Sequence, residues 1–109
     1  MGVRNLGYGA HAEGRSTIAA RKNSHAEGNK TKAFGAHSHT EGISTTTYGD
    51  GAHAAGYNTQ ANGNYSTALG ENSVANGIAS IALGGVTSNG TIKSTKAEGN
   101  SSIAMGYGT

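Results

Sequence analysis

The sequence predicts an all-β protein, a solenoid of the parallel β-roll type with fourteen-residue coils. Glycines recur at regular intervals, and from Gly14 onward a small residue, usually Ala, lies two positions before each of them. Ser, Thr or Ala lies four positions before the same glycine. Self-similarity at a fixed period indicates a repeat architecture. The glycines fall at multiples of seven, with Arg21 as the one interruption: Gly7, Gly14, Gly28, Gly35, Gly42, Gly49, Gly56, Gly63, Gly70, Gly77 and Gly84.

The full repeat is two heptads long because one pattern returns at every second glycine. The stretch Ser24-His25-Ala26-Glu27-Gly28 has copies at residues 10–14, 38–42 and 52–56. A heptad suits one short strand and one tight corner, so two strands and two corners complete a coil. The chain therefore predicts about seven coils, stacked about 4.8 Å apart into a rod of roughly 35 Å.

Side-chain alternation along each strand predicts a very thin core. The Ser or Thr and the Ala of each unit point to one side and the residues between them to the other. Because the inward pair is always small, two strands must lie back to back with little room between them. Glycine tolerates positive φ, and we expect it at these corners: Gly14, Gly28, Gly42, Gly56, Gly70 and Gly84.

Composition places the 109 residues in a single repeat domain, 1–109. Leu, Ile, Val and Phe number only 13, and such a low apolar content alone would indicate a disordered chain. The strict seven-residue period instead indicates an ordered repeat fold. The absence of cysteine excludes disulfides. No apolar run is long enough for membrane insertion, and the scattered basic residues indicate a solvated face rather than a nucleic-acid site. Both ends fall within a repeat, so we expect a segment of a longer fibre.

The period breaks once, after Gly84. It resumes at residues 95–99 and 102–106, so that Gly106 lies one coil plus eight further positions beyond Gly84. The extra residues predict a protruding corner loop at 85–94. Loops on rigid scaffolds often carry binding, although a tolerated surface insertion explains the segment equally simply.

The stretches Ser66-Thr67-Ala68-Leu69-Gly70 and Ser80-Ile81-Ala82-Leu83-Gly84 resemble the head repeats of YadA-like trimeric autotransporter adhesins. The Ser-His-Ala-Glu-Gly copies are similar to related repeats in phage and prophage tail fibres and spikes. The resemblance implies a left-handed parallel β-roll assembled as a parallel homotrimer. It further implies a non-enzymatic structural or receptor-binding segment of a tail fibre or spike, located in the virion tail. The alternative is the head of a bacterial surface adhesin that binds host cells or matrix.

A thin coil buries too little apolar surface to offset its conformational entropy, so one outward face needs cover. We expect partner chains to cover the face with the His/Glu copies, because Leu69, Ile81 and Leu83 share it. The opposite face, with Phe34 and Tyr48, remains an alternative, but three Lys32 side chains on a trimer axis would lack an acceptor. The expected interface ladder comprises His11, Glu13, His25, Glu27, His39, Glu41, His53, Leu69, Ile81, Leu83, Ile103 and Met105.

Catalysis and a bound cofactor are not expected. His and Glu are common acid–base groups, but here they recur in successive coils, whereas an active site is normally a single constellation. Residues 35–39 read G-x-H-x-H and resemble the iron-binding motif of phage tail-fibre needles. That resemblance implies a transition metal on the trimer axis, held by His37 and His39. We favour an ordinary corner histidine and a ladder histidine, with no metal.

Exposed tyrosines often contact sugars and proteins, and they also pack well at corners. A host cell-surface glycan or protein is therefore a possible partner in addition to the chain itself. The candidate receptor contacts are Tyr57, Tyr65, Thr87, Ser88 and Asn89.

Overall fold

Two parallel seven-stranded sheets lie back to back and form a β-solenoid of about six turns with about 14 residues per turn. The computed structural model describes residues 2–106, with the side chains of Thr87 and Ser88 excepted. The all-β class, the parallel pairing and the length of the turn are confirmed. The number of turns is one lower than expected. Eight inserted residues leave the solenoid, and the turns at its ends are incomplete.

Sheet A holds one strand from each turn. Its order is β1 (Val3–Asn5), β3 (Thr17–Ala19), β5 (Lys32–Ala33), β7 (Thr46–Thr47), β9 (Gln60–Ala61), β11 (Ser73–Ala75) and β15 (Thr95–Ala97).

Sheet B holds the alternate strands. Its order is β2 (His11–Arg15), β4 (His25–Asn29), β6 (His39–Ile43), β8 (His53–Tyr57), β10 (Thr67–Glu71), β12 (Ile81–Gly84) and β16 (Ile103–Gly106). Each strand pairs with its counterpart one turn further along the chain, as in His11↔His25. Across the insertion the pairing skips the additional residues and keeps the same register, as in Ile81↔Ile103.

One layer of small side chains separates the sheets. The buried apolar residues among those described are all alanines, and the largest fully buried side chain is threonine. The Cα trace consequently measures only 11 Å in its thinnest dimension, against 36 and 30 Å in the others. Several inward serines satisfy their hydroxyls locally, since Ser38 Oγ donates to the carbonyl of Gly35 and Ser66 Oγ to that of Gly63, both at 2.6 Å.

The corners are made by residues that lie two positions after the periodic glycines. Residues as different as Lys30, His37, Asn58 and Tyr65 adopt φ between 55° and 61° there. The six glycines expected at corners have φ between 106° and 118° and lie in sheet B, at the end of a strand or one residue before it. The six glycines thus have the positive φ expected of them, and a second residue with positive φ follows each of them within two positions at the corner.

The periodic glycines that follow the sheet A strands share with those of sheet B a close approach to the next turn, but they lack the positive φ. Gly35 has no positive φ, but a Cβ there would lie 1.9 Å from the carbonyl oxygen of Gly49, one turn further on. At Gly35 the next turn lies so close that an added methyl group would overlap its backbone, although Arg21 is accommodated at the equivalent position one turn earlier. Gly99 occupies the same position in the last described turn, and among the described residues the nearest atom to its added Cβ is Ser102 Cβ at 3.8 Å.

The insertion is a β-hairpin. Strands β13 (Val86–Ser88) and β14 (Thr91–Lys93) pair antiparallel, with Val86 opposite Lys93. The two turn residues, Asn89 and Gly90, have φ of 50° and 75°. Positive φ at both positions is the requirement of a type I′ turn, for which Asn-Gly is the preferred sequence. The segment expected as a corner loop at 85–94 thus contains regular structure. No helix within residues 2–106 has the length and hydropathy to cross a membrane.

Substituting Gly35 tests the close approach between turns. We expect Gly35→Ala to lower the free energy of unfolding by roughly 3 kcal/mol, because the added methyl group must displace the backbone of the next turn. Gly99→Ala is the matched control and should change it by less than about 0.5 kcal/mol. Thermal and urea unfolding followed by circular dichroism measure both. Equal stabilities of the two variants would contradict the close-approach explanation.

Candidate functional site

The outward face of sheet B carries a ladder of histidines. His11, His25, His39 and His53 occupy the same register position in four successive strands. The ring centroids of His25 and His39 lie 4.6 Å apart with the planes 3° from parallel, and those of His39 and His53 lie 5.0 Å apart at 8°. His11 meets His25 edge-on at 77°. The parallel register of the sheet therefore brings residues one full turn apart in sequence into direct contact.

The same face becomes apolar along the solenoid. Thr67 pairs with His53, and Ile81 and Ile103 continue that row, while Leu69, Leu83 and Met105 form the row beside it. Ile103 and Met105 are 65% and 62% exposed, and the other apolar members are half-buried. All twelve residues of the expected interface ladder thus lie on one face of one sheet.

Glutamates pair with the histidines along this face. His25 Nε2 lies 2.9 Å from Glu27 Oε1, and His39 Nε2 lies 3.3 Å from Glu41 Oε1. Glu27 Oε1 is also 3.7 Å from His39 Nε2, so this carboxylate lies near the Nε2 atoms of both stacked rings. His53 differs, since Ala55 stands where the other copies have Glu. Its Nε2 is buried and has no hydrogen-bond partner among the described residues.

The pKa of His39 is lowered from its ordinary value of 6.5. Burial, which disfavours the charged imidazolium, is the largest cause, and the neighbouring His25 and His53 add to the shift. The carboxylates of Glu41 and Glu27 oppose it without reversing it. The ring at the centre of the ladder is therefore held in its neutral form more strongly than an isolated histidine.

The lowered pKa of His39 predicts a pH-dependent stability. Between the folded pKa and the unfolded value near 6.5, the unfolded chain binds more protons than the folded protein. The free energy of unfolding should therefore fall as the pH decreases from about 6.5 through the folded pKa. Thermal unfolding in chelator-containing buffer between about pH 7.5 and about pH 5 measures the slope.

Two variants isolate the histidine responsible. His39→Gln removes the group, so its unfolding free energy should depend less on pH than that of the parent. His37→Gln removes an exposed histidine outside the ladder and should retain the parent's slope. If His39→Gln also retained that slope, the pH dependence would have another origin.

The structure does not combine His37 and His39 into one ligand set. His37 is an exposed corner residue with φ of 58°, whereas His39 lies in sheet B. The groups of potential ligands instead run across strands, with His25, Glu27 and His39 at the centre. In the sequence, the fourteen-residue spacing of the Ser-His-Ala-Glu-Gly copies indicates which potential ligands come together, because it aligns them in adjacent strands. The local G-x-H-x-H motif does not indicate them.

The outward face of sheet A is more polar. Lys32, Gln60, Asn76, Lys96 and Glu98 are exposed on it. Its side chains also form ladders: Asn62 Nδ2 donates to Asn76 Oδ1 at 2.7 Å, and the rings of Phe34 and Tyr48 stack with centroids 5.5 Å apart. The aromatic pair is the one extended apolar contact described on this face.

The candidate receptor contacts lie on opposite edges of the solenoid. Tyr57, 50% exposed, ends a sheet B strand, and the hairpin with the exposed Asn89 follows sheet B at the same edge. Tyr65, 69% exposed, lies at the corner that leads back from sheet A to sheet B. The side chains of Thr87 and Ser88 lie outside the described part. A single contact patch therefore cannot contain both tyrosines.

The chain is a thin parallel β-solenoid, and the outward faces of its two sheets present repeating rows of side chains. The profile of the YadA head domain repeat, which contains two copies of the repeat, matches residues 48–73, 61–86 and 93–109, together more than half of the chain. The chain belongs to the family of YadA head domain repeats. Heads of this family are surface-exposed, non-enzymatic adhesin domains that form homotrimers. Searches of curated proteins and of solved structures gave no significant match.

Proposed function

We propose that the chain is a non-enzymatic, receptor-binding structural segment of a trimeric tail fibre or spike of a phage or prophage. The observation that carries the proposal is the uncovered face of sheet B, where apolar residues stand outside a core that contains nothing larger than threonine. The Ser-His-Ala-Glu-Gly copies, which resemble repeats of phage fibres, favour a virion tail. The family match equally supports a second candidate, the head of a bacterial surface adhesin.

Self-association accounts for both the thin core and the apolar rows. Each buried methylene contributes about 0.8 kcal/mol, and the alanine core offers few of them. Covering Leu69, Ile81, Leu83, Ile103 and Met105 with the same face of two further chains would supply the missing apolar burial. A parallel trimer also places identical rows at the same height, which the uniform register of sheet B permits.

Charge distribution favours sheet B over sheet A as the interface. The outward ladder of sheet B contains no lysine or arginine, and its glutamates already lie beside histidines. On sheet A, three copies of Lys32 would converge without an acceptor, at the cost of burying unpaired charge. The exposed polar rows of sheet A would then face solvent.

A trimeric rod would act through reach and multivalency. Three copies of each weak contact raise the overall avidity without any new contact, provided that they can engage simultaneously. The edge with Tyr57 and the Asn89 hairpin, and separately the edge with Tyr65, are the exposed places where a host glycan or protein would bind.

A pair of charge substitutions tests which face forms the trimer. Static light scattering should give three times the 10.8 kDa chain mass for the parent. Leu83→Glu places a charge in the proposed interface and should give the single-chain mass. Val74→Glu places the same charge at a half-buried position on sheet A and should leave the mass unchanged. A parent of 10.8 kDa would refute the trimer, and dissociation by Val74→Glu alone would assign the interface to sheet A.

The histidine end of the interface is tested by two alanine variants. His25→Ala leaves the carboxylate of Glu27 without its nearest partner, so we expect a loss of about 1–3 kcal/mol per chain in trimer stability. His53→Ala removes a similarly stacked ring whose own strand has Ala55 in place of the glutamate, and it should cost less. Dissociation curves from analytical ultracentrifugation give both values. Identical curves for His25→Ala and the parent would place the ladder in solvent.

The genes beside the coding sequence separate the two candidate functions. A tail fibre lies among tail and lysis genes, whereas a surface adhesin continues into a C-terminal membrane anchor. Binding of fluorescently labelled protein to bacterial cells or to host cells then identifies the surface that it recognises.

A further inference from the structure

We propose that His25, Glu27 and His39 bind one divalent transition-metal ion of the zinc type per chain. The site goes beyond the proposed fibre function, because all three ligands come from one chain and do not depend on the trimer. Two imidazole nitrogens and one carboxylate oxygen form a donor set that suits zinc and its neighbours in the first transition row.

The ligand atoms already lie near coordinating positions. Glu27 Oε1 is 2.9 Å from His25 Nε2 and 3.7 Å from His39 Nε2, and all three atoms lie within 4.8 Å of one another. Zinc–ligand distances of about 2.0–2.1 Å place tetrahedral donor atoms roughly 3.3 Å apart. To bind one ion, the two stacked rings must tilt toward each other, because each imidazole binds zinc in its own plane, and the Glu27 carboxylate must rotate toward both.

The backbone holds the ligands in place. His25 and His39 are register partners in adjacent parallel strands, and their rings are stacked within 3° of parallel. Both Nε2 atoms are buried, and each lies near a carboxylate oxygen. Neither is oriented to form a hydrogen bond with any of the described residues. A ligand set on a rigid sheet loses little freedom when an ion binds.

The central group is better formed than the two beside it. In the first, the His11 ring stands at 77° to that of His25, and the side chains of His11 and Glu13 are 59% and 62% exposed. The third, with His39, Glu41 and His53, is stacked like the central group but shares His39 with it. Each of the two flanking groups shares a histidine with the central group. An ion bound by the central group therefore leaves each flanking group without one of its three ligands.

Three protein ligands leave one position of a tetrahedral ion open. Water fills such a position in zinc sites with three protein ligands. The ion would also offset negative charge on a face where Glu13, Glu27 and Glu41 lie in successive strands.

Calorimetric titration of zinc chloride into the full chain, purified without a histidine tag and stripped with a chelator, tests the site. We expect one zinc ion per chain. His39→Asn and Glu27→Gln should each weaken zinc binding by about 100-fold or more, because even outer-shell partners of metal ligands contribute about 10–100-fold. His37→Asn removes an exposed histidine only two residues from His39 and should bind zinc like the parent.

The outcomes separate a formed site from adventitious binding to surface histidines. The proposal is overturned if the parent binds no zinc, if His37→Asn weakens binding as much as His39→Asn, or if Glu27→Gln has no effect. Glu27→Gln preserves side-chain volume, so it remains informative if His39→Asn fails to fold. Light scattering of the same samples distinguishes the two proposals, since a monomer that binds zinc supports this site and refutes only the trimer.

Discussion

The thickness of a single layer of small side chains constrains the whole molecule. Alanine, serine and threonine fill the space between the sheets, and the Cα trace is 11 Å thick. A core of this kind fixes geometry closely but supplies little apolar stabilisation. The chain must therefore obtain stability from contacts between successive turns and from whatever covers its outward faces. In the proposed trimer, stability and assembly would depend on the same outward rows.

Contacts between turns repeat because each residue meets its counterpart one turn away. Asn58 Nδ2 donates to Asn72 Oδ1, Phe34 stacks on Tyr48, and His25 stacks on His39, each across a single turn. Amide and aromatic ladders gain from identical neighbours, whereas like charges in adjacent turns repel. The pKa of His39 is lowered first by burial and then by repulsion from the neighbouring His25 and His53.

The sequence predicted the features that follow from period and alternation. These are the length of the turn, the inward position of the small residues in each unit, and the common face of His25, Leu83 and Met105. The corners were not predictable, because Lys30 and Tyr65 have no shared preference for positive φ and adopt it only through the surrounding turns. The close approach that favours glycine at Gly35 was also hidden, since it arises from the backbone one turn away. The hairpin was predictable from its Asn-Gly turn, but a broken period alone indicated only a loop.

Near-identical repeats create a problem of register that the outward face of sheet B can solve. In a parallel assembly of such solenoids, a slip by one turn would still match glycine to glycine and small residue to small residue. It would, however, bring the turn with Thr67 and Leu69 to the height of the turn with His53 and Ala55. One apolar turn at the end of the rod would then lose its cover, at a cost proportional to the apolar area exposed. The change from polar to apolar along one face therefore distinguishes the correct stagger from its neighbours, which the uniform core cannot do.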